Sequence, residues 1–446
     1  MTSGLSPASG APASGAAPTL AEAARVWWRI GILSFGGPAA QIALMHRMVV
    51  DERRWLTERQ YLDALSFCML LPGPEAMQLA TYAGWRMHGV RGGLIAGGLF
   101  VLPGAVVIAC LAALYVRFGA LPVTAALFMG VKAAVLVIVI EALLRVARRA
   151  LIGTEALVIA ALAFVALFVF AVPYPLVIAA AAIWGALRLR DGETRARPAT
   201  ASPGGGPARP VRATIRTAAT WLALWAAPLL AVAAIAPPVF GEMARFFSVL
   251  ATVTFGGAYA VLAYMTQEAV ATQGWLTTGE MLDALGLAET TPGPLILVTE
   301  FVGFLAGHRA APAGGGALLW GLGGALVTLW ATFAPCFLWI FAGAPWIDAI
   351  SARPVLRAAL TGVTAAVVGV IANLSVWFGL HVLFERIGTM RAGAVELALP
   401  DWASLDWRSA LIVLVAALLL LRWHRGVPLT LAVCSACGIA LSTLGG

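Results

Sequence analysis

The sequence has little charge and almost no lysine. Only 11% of its 446 residues are charged, whereas 61% are hydrophobic, and the mean hydropathy is +0.91. Soluble domains carry about 25% charged residues, so the composition excludes an ordinary soluble protein. We predict an all-α polytopic membrane protein, embedded in the lipid bilayer, with room for about ten or more spans of roughly 20 residues.

Cysteine is also scarce. All five cysteines lie in apolar runs, and Cys434 and Cys437 have no histidine or acid beside them. Packing is therefore favoured over a redox or metal role, and no cofactor is predicted. The first 20 residues are rich in Ser, Ala, Gly and Pro and lack the apolar core of a signal peptide, which predicts a disordered tail.

Arginine supplies nearly all of the positive charge. The net charge is +8, and 28 of the 29 basic residues are arginines, most of them between apolar runs. This is loop charge of the kind that sets orientation in a membrane, and nucleic-acid binding is a poor interpretation of it. It predicts a cytoplasmic N-terminus and a flexible cytoplasmic linker, rich in Pro, Gly and Arg, at residues 191–212.

An internal duplication organises the chain. The segment at 35–45, "FGGPAAQIALM", recurs at 255–265 as "FGGAYAVLAYM", and "WLTERQYLDAL" at 55–65 recurs at 275–285 as "WLTTGEMLDAL". The offset is 220 residues between 35 and 88, where 18 of 54 positions are identical, and 232 residues further on. The predicted domains are a first repeat at 21–190 and a second repeat, with one extra leading helix, at 213–446.

The apolar runs predict opposite orientations for the two halves. Six runs precede the linker and seven follow it. If each run crosses the membrane, the second copy begins after seven spans, and an odd number inverts it, as in many secondary transporters. The first two runs contain Gly and Pro interruptions, so re-entrant hairpins are the alternative and the number of spans stays between about ten and thirteen.

Two motifs interrupt these runs at matching places in both halves. A Pro-Gly-Pro occurs at 72–74 and 292–294, and a Gly-Gly at 36–37 and 256–257. Irregular backbone at membrane depth is tolerated only where it faces protein or a watery cavity. A helix start that follows proline presents free amides to an anion. We predict that these breaks converge on one anion site near the midplane, with ordinary packing by Gly and Pro as the alternative.

Lys132 is the single lysine, deep in the apolar run "FMGVKAAVLVIVIEALL". A charge there costs roughly 2.5–3.5 kcal/mol on insertion scales. Its compact ammonium suits a small tetrahedral oxyanion, whereas snorkelling to the interface is the alternative. The repeat partner is Thr364, so the cation comes from one half only. The predicted substrate-binding residues are Phe35, Gly36, Gly37, Pro38, Gln41, Pro72, Gly73, Pro74, Glu75, Gln78, Lys132, Phe255, Gly256, Gly257, Pro292, Gly293, Pro294 and Thr364.

Three polar residues are candidates for proton coupling. Glu75 directly follows the first Pro-Gly-Pro, and Glu141 has Asn373 as its repeat partner. Glu75 has an alternative role in repelling competing ions. Asp63 and Asp283 follow the two WLT motifs by six residues and are interpreted as acids that stabilise the start of a helix capped by threonine.

The motifs resemble the chromate ion transporter family in its long, two-domain bacterial form. They read "SFGGPAAQIALM", "RRWLTERQYLDAL", "LLPGPEAMQLATYAGWRMHGVRGGL" and "FVLPGAVV", and the resemblance covers roughly residues 25–445 apart from the linker. It implies a multi-pass protein of the bacterial inner membrane that exports chromate and confers resistance, with sulfate as the structural analogue. By resemblance the pathway comprises residues 35–38, 72–74 and 130–132.

The second half departs from the family motifs at three of these positions. Pro38, Glu75 and Lys132 are replaced there by Ala258, Leu295 and Thr364. One asymmetric site is therefore expected instead of two equivalent ones.

Other functions remain as alternatives. A transporter of sulfate or molybdate is the strongest of them. A membrane lipid-phosphate phosphatase would need Ser, His or Arg beside the breaks, and "PGPEAMQ" and "PGPLILV" contain none. An anion channel would need a charged ring or carbonyl filter. The prediction is a transporter and not an enzyme, with a homodimer as one option for its assembly.

Overall fold

The computed structural model describes residues 18–189, 211–255, 258–351, 353–392 and 395–443. Most of the predicted tail and linker, and Gly256 and Gly257, lie outside these ranges. The helices are α1 (Leu20–Leu33), α2 (Gly37–His46), α3 (Glu58–Cys68), α4 (Glu75–Phe118), α5 (Pro122–Ala150), α6 (Thr154–Phe168), α7 (Tyr174–Trp184), α8 (Val211–Ile235), α9 (Pro238–Val253), α10 (Ala258–Thr266), α11 (Thr278–Thr290), α12 (Val298–Arg309), α13 (Ala317–Gly343), α14 (Ile347–Ser351), α15 (Pro354–Leu383), α16 (Trp407–Ala417) and α17 (Val427–Thr443).

The remaining regular structure is short. An antiparallel hairpin of β1 (Ile387–Ala392) and β2 (Val395–Pro400) joins α15 to α16. Single π-helical turns extend four of the helices, at Arg47–Glu52, Gly185–Leu189, Gln267–Thr272 and Leu418–Arg422. Three 3-10 turns lie at Leu295–Leu297, Ala344–Trp346 and Trp402–Ser404.

Five helices are long and apolar enough to cross a bilayer alone, namely α4, α5, α8, α13 (to Trp346) and α15. The first two runs of each half are instead pairs of short helices, since α4 itself is divided at His88 and Gly89, whose φ and ψ angles are not helical. α1 and α2 meet at Ser34–Gly36, and α3 meets α4 at the first Pro-Gly-Pro. Ten helical residues extend about 15 Å, half of a hydrocarbon core about 30 Å thick. The outer ends of a pair nevertheless lie together: Arg53, after α2, pairs with Glu22 at the start of α1, and Arg309 at the end of α12 pairs with Glu280 at the start of α11. The helices therefore double back at the breaks, which suits re-entrant hairpins, the alternative predicted for the first two runs, and not single crossings.

The segment between the two breaks of each half is a helical hairpin. The first-half hairpin consists of α2 and α3, and the second-half hairpin of α10 and α11. Thr57 and Thr277 begin α3 and α11 with capping boxes completed by Gln60 and Glu280, which confirms the predicted helix caps.

The two halves are interwoven. α5 of the first half packs against α16 and α17, while α15, its repeat partner, packs against α6 and α7. Glycines at equivalent positions make the closest approaches: a Cβ added to Gly130 would lie 2.1 Å from the carbonyl oxygen of Cys434, and one added to Gly362 would lie 2.3 Å from that of Ala181. This reciprocity is the arrangement expected of inverted repeats. The predicted helical fold of two homologous halves is confirmed.

Candidate functional site

Each Pro-Gly-Pro break is bound to the opposite half. The amide of Gly73 donates to the carbonyl of Thr254 at 2.9 Å, and the amide of Gly293 donates to the carbonyl of Ser34 at 2.8 Å. Ser34 and Thr254 are equivalent positions, and each hydroxyl donates to a backbone carbonyl four residues earlier. The two prolyl breaks therefore meet the ends of α1 and α9 in one crossing.

The crossing requires glycine. Gly73 and Gly293 have φ values of 112° and 89°, and Gly36 has a φ of 84°. Side chains with a Cβ rarely adopt this region, so glycine provides the backbone conformation in which the amides reach across to the other half.

Two glutamines of the first half support the breaks. Gln41 Nε2 donates to the carbonyl of Gly293 at 2.6 Å, and Gln78 Nε2 donates to the carbonyl of Pro72, also at 2.6 Å. Both side-chain oxygens are buried without a hydrogen-bond partner among the described residues. The equivalent residues of the second half are Val261 and Val298. The two side-chain amides that support the breaks thus come from one half.

A small cavity, here the crossing cavity, lies between the breaks. Its volume is about 20 Å³, room for about one water molecule and not for a tetrahedral oxyanion of five heavy atoms. The crossing is therefore closed in this structure. The lining residues are Pro38, Gln41, Gly73, Pro74, Glu75, Ala76, Thr254, Ala258, Pro294, Leu295 and Ile296.

The crossing cavity suits an anion on backbone grounds. α4 begins at Glu75 and a 3-10 turn begins at Leu295, and first-turn amides lack an acceptor within their own helix. Together with the positive end of the helix dipole they favour negative charge. Glu75 is the one carboxylate lining the cavity, and it makes no hydrogen bond or ion pair with any described residue. When ionised, it opposes an anion in the same space.

Lys132 lies elsewhere, so its expected position beside the breaks is wrong for this structure. It lines a second cavity of about 500 Å³, here the lysine cavity, together with Thr278, His381 and Asp406. Its Nζ lies 2.9 Å from Oδ1 of Asp283. The interpretation of Asp283 as a helix-start acid is corrected accordingly: α11 packs against α5, which buries this carboxylate beside the ammonium.

The other predicted residues are dispersed. Thr364 donates to the carbonyl of Leu360 within its own helix. Phe35 is exposed and Phe255 half-buried. Glu141 pairs with Arg145 at 2.6 Å, and Asn373 lines a separate cavity. Among the three coupling candidates, Glu75 alone lines the crossing cavity.

Sequence reasoning missed two buried contacts. The Tyr115 hydroxyl donates to Oδ2 of Asp283 at 2.7 Å, and the Tyr259 hydroxyl donates to Glu289 at 2.9 Å, just before the second Pro-Gly-Pro. Under the repeat offset, Tyr115 is equivalent to the apolar Ile347. A hydroxyl in one half where the other half has an apolar side chain is the sequence signal that could have indicated this contact. Asp283 lies in a motif that both halves share, so the pattern does not indicate that one copy is buried.

Interwoven repeats and broken helices that meet at one cavity are typical of membrane transporters. The chain belongs to the chromate transporter family, because the family profile described as "Chromate transporter" matches residues 21–186 and 241–441, in both halves. As a member of this family, the protein is a multi-pass transporter and not an enzyme.

Curated relatives match over most of their length. The chain is 28% identical to a chromate transport protein of Cupriavidus metallidurans, over 91% of this chain and 89% of the relative. It is 31% identical to a chromate transport protein of Pseudomonas aeruginosa, over 87% and 88%, and 28% identical to a probable chromate transport protein of Synechococcus elongatus, over 90% and 94%. No solved structure matches the chain.

Proposed function

We propose that this protein exports chromate from the cytoplasm across the inner membrane and thereby confers chromate resistance. The relatives named as chromate transport proteins support the substrate. The distribution of arginine between the apolar runs supports a cytoplasmic N-terminus.

The observation that carries the proposal is the pair of reciprocal hydrogen bonds from Gly73 and Gly293 across the crossing cavity. When the cavity widens, these amides, the first-turn amides that follow each break and the amides of Gln41 and Gln78 become donors for a tetrahedral dianion. Backbone donors recognise the charge and shape of an anion. Sulfate is also a tetrahedral dianion, so it is the expected structural analogue and competitor.

Export of a dianion is electrically downhill from a cell with a negative interior. The gain is about 2.3 kcal/mol per charge for each 100 mV, hence about 4.6 kcal/mol for two charges. Because an ionised Glu75 would repel the dianion, we assign it a bound proton whenever the anion is present. If that proton crosses with the anion, one net negative charge leaves in each cycle. Glu141 and Asn373 are then not needed for coupling.

Lys132 and Thr364 have a less direct role in this proposal. Both lie on equivalent helices that flank the second-half hairpin, and Lys132 lines the lysine cavity. We assign Lys132 to the approach to the crossing and to control of the hairpin.

Everted membrane vesicles test the proposal, since export appears as uptake of labelled chromate. Uptake is measured while the membrane potential and the pH gradient are set separately. The wild type is expected to accumulate chromate with about one negative charge per ion. Glu75→Gln carries a permanently neutral side chain, so its uptake is expected to lose its pH dependence and to move about two charges per ion. Glu155→Gln, an exposed acid at the start of α6, is the matched control.

Three results would count against the proposal: no uptake by the wild type, an unchanged charge per ion in Glu75→Gln, or uptake blocked by molybdate but not by unlabelled chromate. The last result would favour the alternative of a sulfate or molybdate transporter. A lipid-phosphate phosphatase is not supported, because no Ser, His or Arg lines the crossing cavity among the described residues.

A further inference from the structure

A buried charge cluster joins the two halves away from the crossing cavity. Lys132 of α5 lies 2.9 Å from Asp283 of α11, and Tyr115 of α4 donates to the other carboxylate oxygen at 2.7 Å. Asp283 is 7% exposed, whereas Lys132 reaches the lysine cavity. A buried ion pair is strongly disrupted when one partner loses its charge, because the other is left uncompensated.

The surroundings leave Lys132 as the direct counter-ion of Asp283. On its own helix the nearest acid is Glu280, which pairs with Arg309 of α12. Across the lysine cavity lie His381 of α15 and the acids Glu385 and Asp406. The cavity gives water, and hence protons, a route to the pair.

The cluster breaks the symmetry of the repeats. The equivalents of Lys132 and Tyr115 are Thr364 and Ile347. Asp63, the equivalent of Asp283, is exposed and lies 3.9 Å from Arg59. One face of α11 is buried, whereas the same face of α3 is exposed. The buried face comprises Leu282, Asp283, Gly286 and Glu289, and the exposed face Leu62, Asp63, Ser66 and Met69.

Helix packing follows the same asymmetry. α11 packs against α5, the helix of Lys132, while α3 packs against α4 and α14. A Cβ on Gly286 would lie 2.4 Å from Val131, so the contact between α11 and α5 is tight. The second-half hairpin is therefore closed onto α5 of the opposite repeat, whereas α3 contacts the opposite repeat through the short helix α14.

We propose that Asp283 is a proton-binding site whose ion pair with Lys132 latches the second-half hairpin onto α5. A proton from the lysine cavity neutralises the carboxylate, the ion pair is lost and α11 separates from α5. Asp283 is nine residues before Pro292 on a helix that runs into the second break. Movement of α11 therefore displaces Gly293 from Ser34 and opens the crossing cavity. The latch itself does not depend on the proposed function; only the statement that opening of the crossing cavity serves transport rests on it.

Thiol labelling of full-length protein in membrane vesicles measures the latch without any substrate. Val135 on α5 is 1% exposed, and its Cγ2 is 3.9 Å from a Cβ built on Gly286, so α11 shields it. Val135→Cys is introduced after the native cysteines have been replaced. Its labelling rate is divided by that of Trp402→Cys in the same background, a position that is 77% exposed on the 3-10 turn after β2, which corrects for the pH dependence of thiol reactivity.

The relative labelling rate at position 135 is expected to rise about tenfold as the pH falls from about 8 to about 5, because a proton on Asp283 removes the charge that pairs with Lys132 and so favours the released state. With Asp283→Asn it is expected to be high at every pH. Asp63→Asn, the same change at the exposed equivalent, is expected to behave like the wild type.

The double variant Lys132→Gln/Asp283→Asn covers the case in which Asp283→Asn fails to fold, since it leaves no unpaired charge. It too is expected to label rapidly at every pH. A pH-independent rate in the wild type, or a wild-type pH profile in either variant of Asp283, would overturn the latch. Chromate uptake is measured in the same vesicles, so absent uptake with an intact labelling profile refutes the proposed substrate alone.

Discussion

Replacement of Gly104 by alanine tests whether the second break is held against α4. A Cβ at this position would lie 2.3 Å from the carbonyl oxygen of Pro292 and 2.5 Å from Cδ1 of Leu297. The first contact is with backbone, so a change of rotamer does not relieve it, and α4 or the break must shift. Overpacking of this kind costs about 1–3 kcal/mol, and the better helix propensity of alanine returns about 0.5–1 kcal/mol. We expect a net loss of about 1 kcal/mol.

Gly98 supplies the matched control on the same helix. Nothing lies within 4 Å of a Cβ built there, so Gly98→Ala is expected to gain the helix propensity, about 0.5–1 kcal/mol. The two variants are compared by thermal unfolding in detergent and by chromate uptake into everted vesicles. A loss of about 1 kcal/mol corresponds to a fall of roughly 2–4 °C for a domain of 150–250 residues.

Gly104→Ala is expected to slow uptake as well as lower the unfolding temperature, because the displaced group is the backbone of the crossing itself. The reasoning is refuted if both alanine variants unfold at the same temperature and transport at the same rate. If Gly104→Ala is destabilised but transports normally, the contact is structural and the crossing is not the site.

Three further predictions concern other contacts. Gln41→Leu removes the donor to the Gly293 carbonyl and is expected to cost about 1–3 kcal/mol, measured as a lower unfolding temperature; an unchanged temperature would contradict it. Burial by itself would raise the pKa of Glu280 at the hairpin tip. Hydrogen bonds from Arg309 and from the helix cap have the larger combined effect, so the pKa is lowered. The carboxylate therefore stabilises the fold above about pH 4.5 and loses this effect in acid, so the gap in unfolding temperature between wild type and Glu280→Gln should narrow below that pH. Gly130→Ala would place a Cβ 2.1 Å from a carbonyl oxygen of α17 and should destabilise the protein by about 1–3 kcal/mol, whereas an unchanged unfolding temperature would show that α17 moves freely.

Much of the fold was predictable because it depends on local signals. Apolar runs, the capping threonines Thr57 and Thr277 and the duplicated motifs all predict their elements from neighbouring residues. The division of the runs at 25–48 and 62–88 into short helices also follows from the Gly and Pro within them. The β-hairpin after α15 was not predicted, since its strands alternate only weakly between apolar and polar residues.

The candidate site was predictable only in part. The repeat offset indicated that the Pro-Gly-Pro segments lie together, because equivalent positions in two copies meet near the axis that relates them. The position of Lys132 depends on which helix packs against α5, and that is long-range packing. The sequence pairs Lys132 with Thr364 as an equivalent position, whereas the physical partner, Asp283, comes from a different motif of the other half.

Symmetry and its violations have different roles in this molecule. Positions that both halves share, such as Ser34 with Thr254 and Gly73 with Gly293, form the backbone of the crossing. Positions that differ, such as Glu75 with Leu295, carry the ionisable groups. A symmetric site would hold two carboxylates or none, and would repel a dianion or lack a group that binds a proton. One Glu75 in a cavity built by two halves lets a single proton set the charge of the site. A Leu295→Glu variant, which restores the symmetry, is therefore expected to abolish chromate uptake at neutral pH while Leu295→Gln retains it.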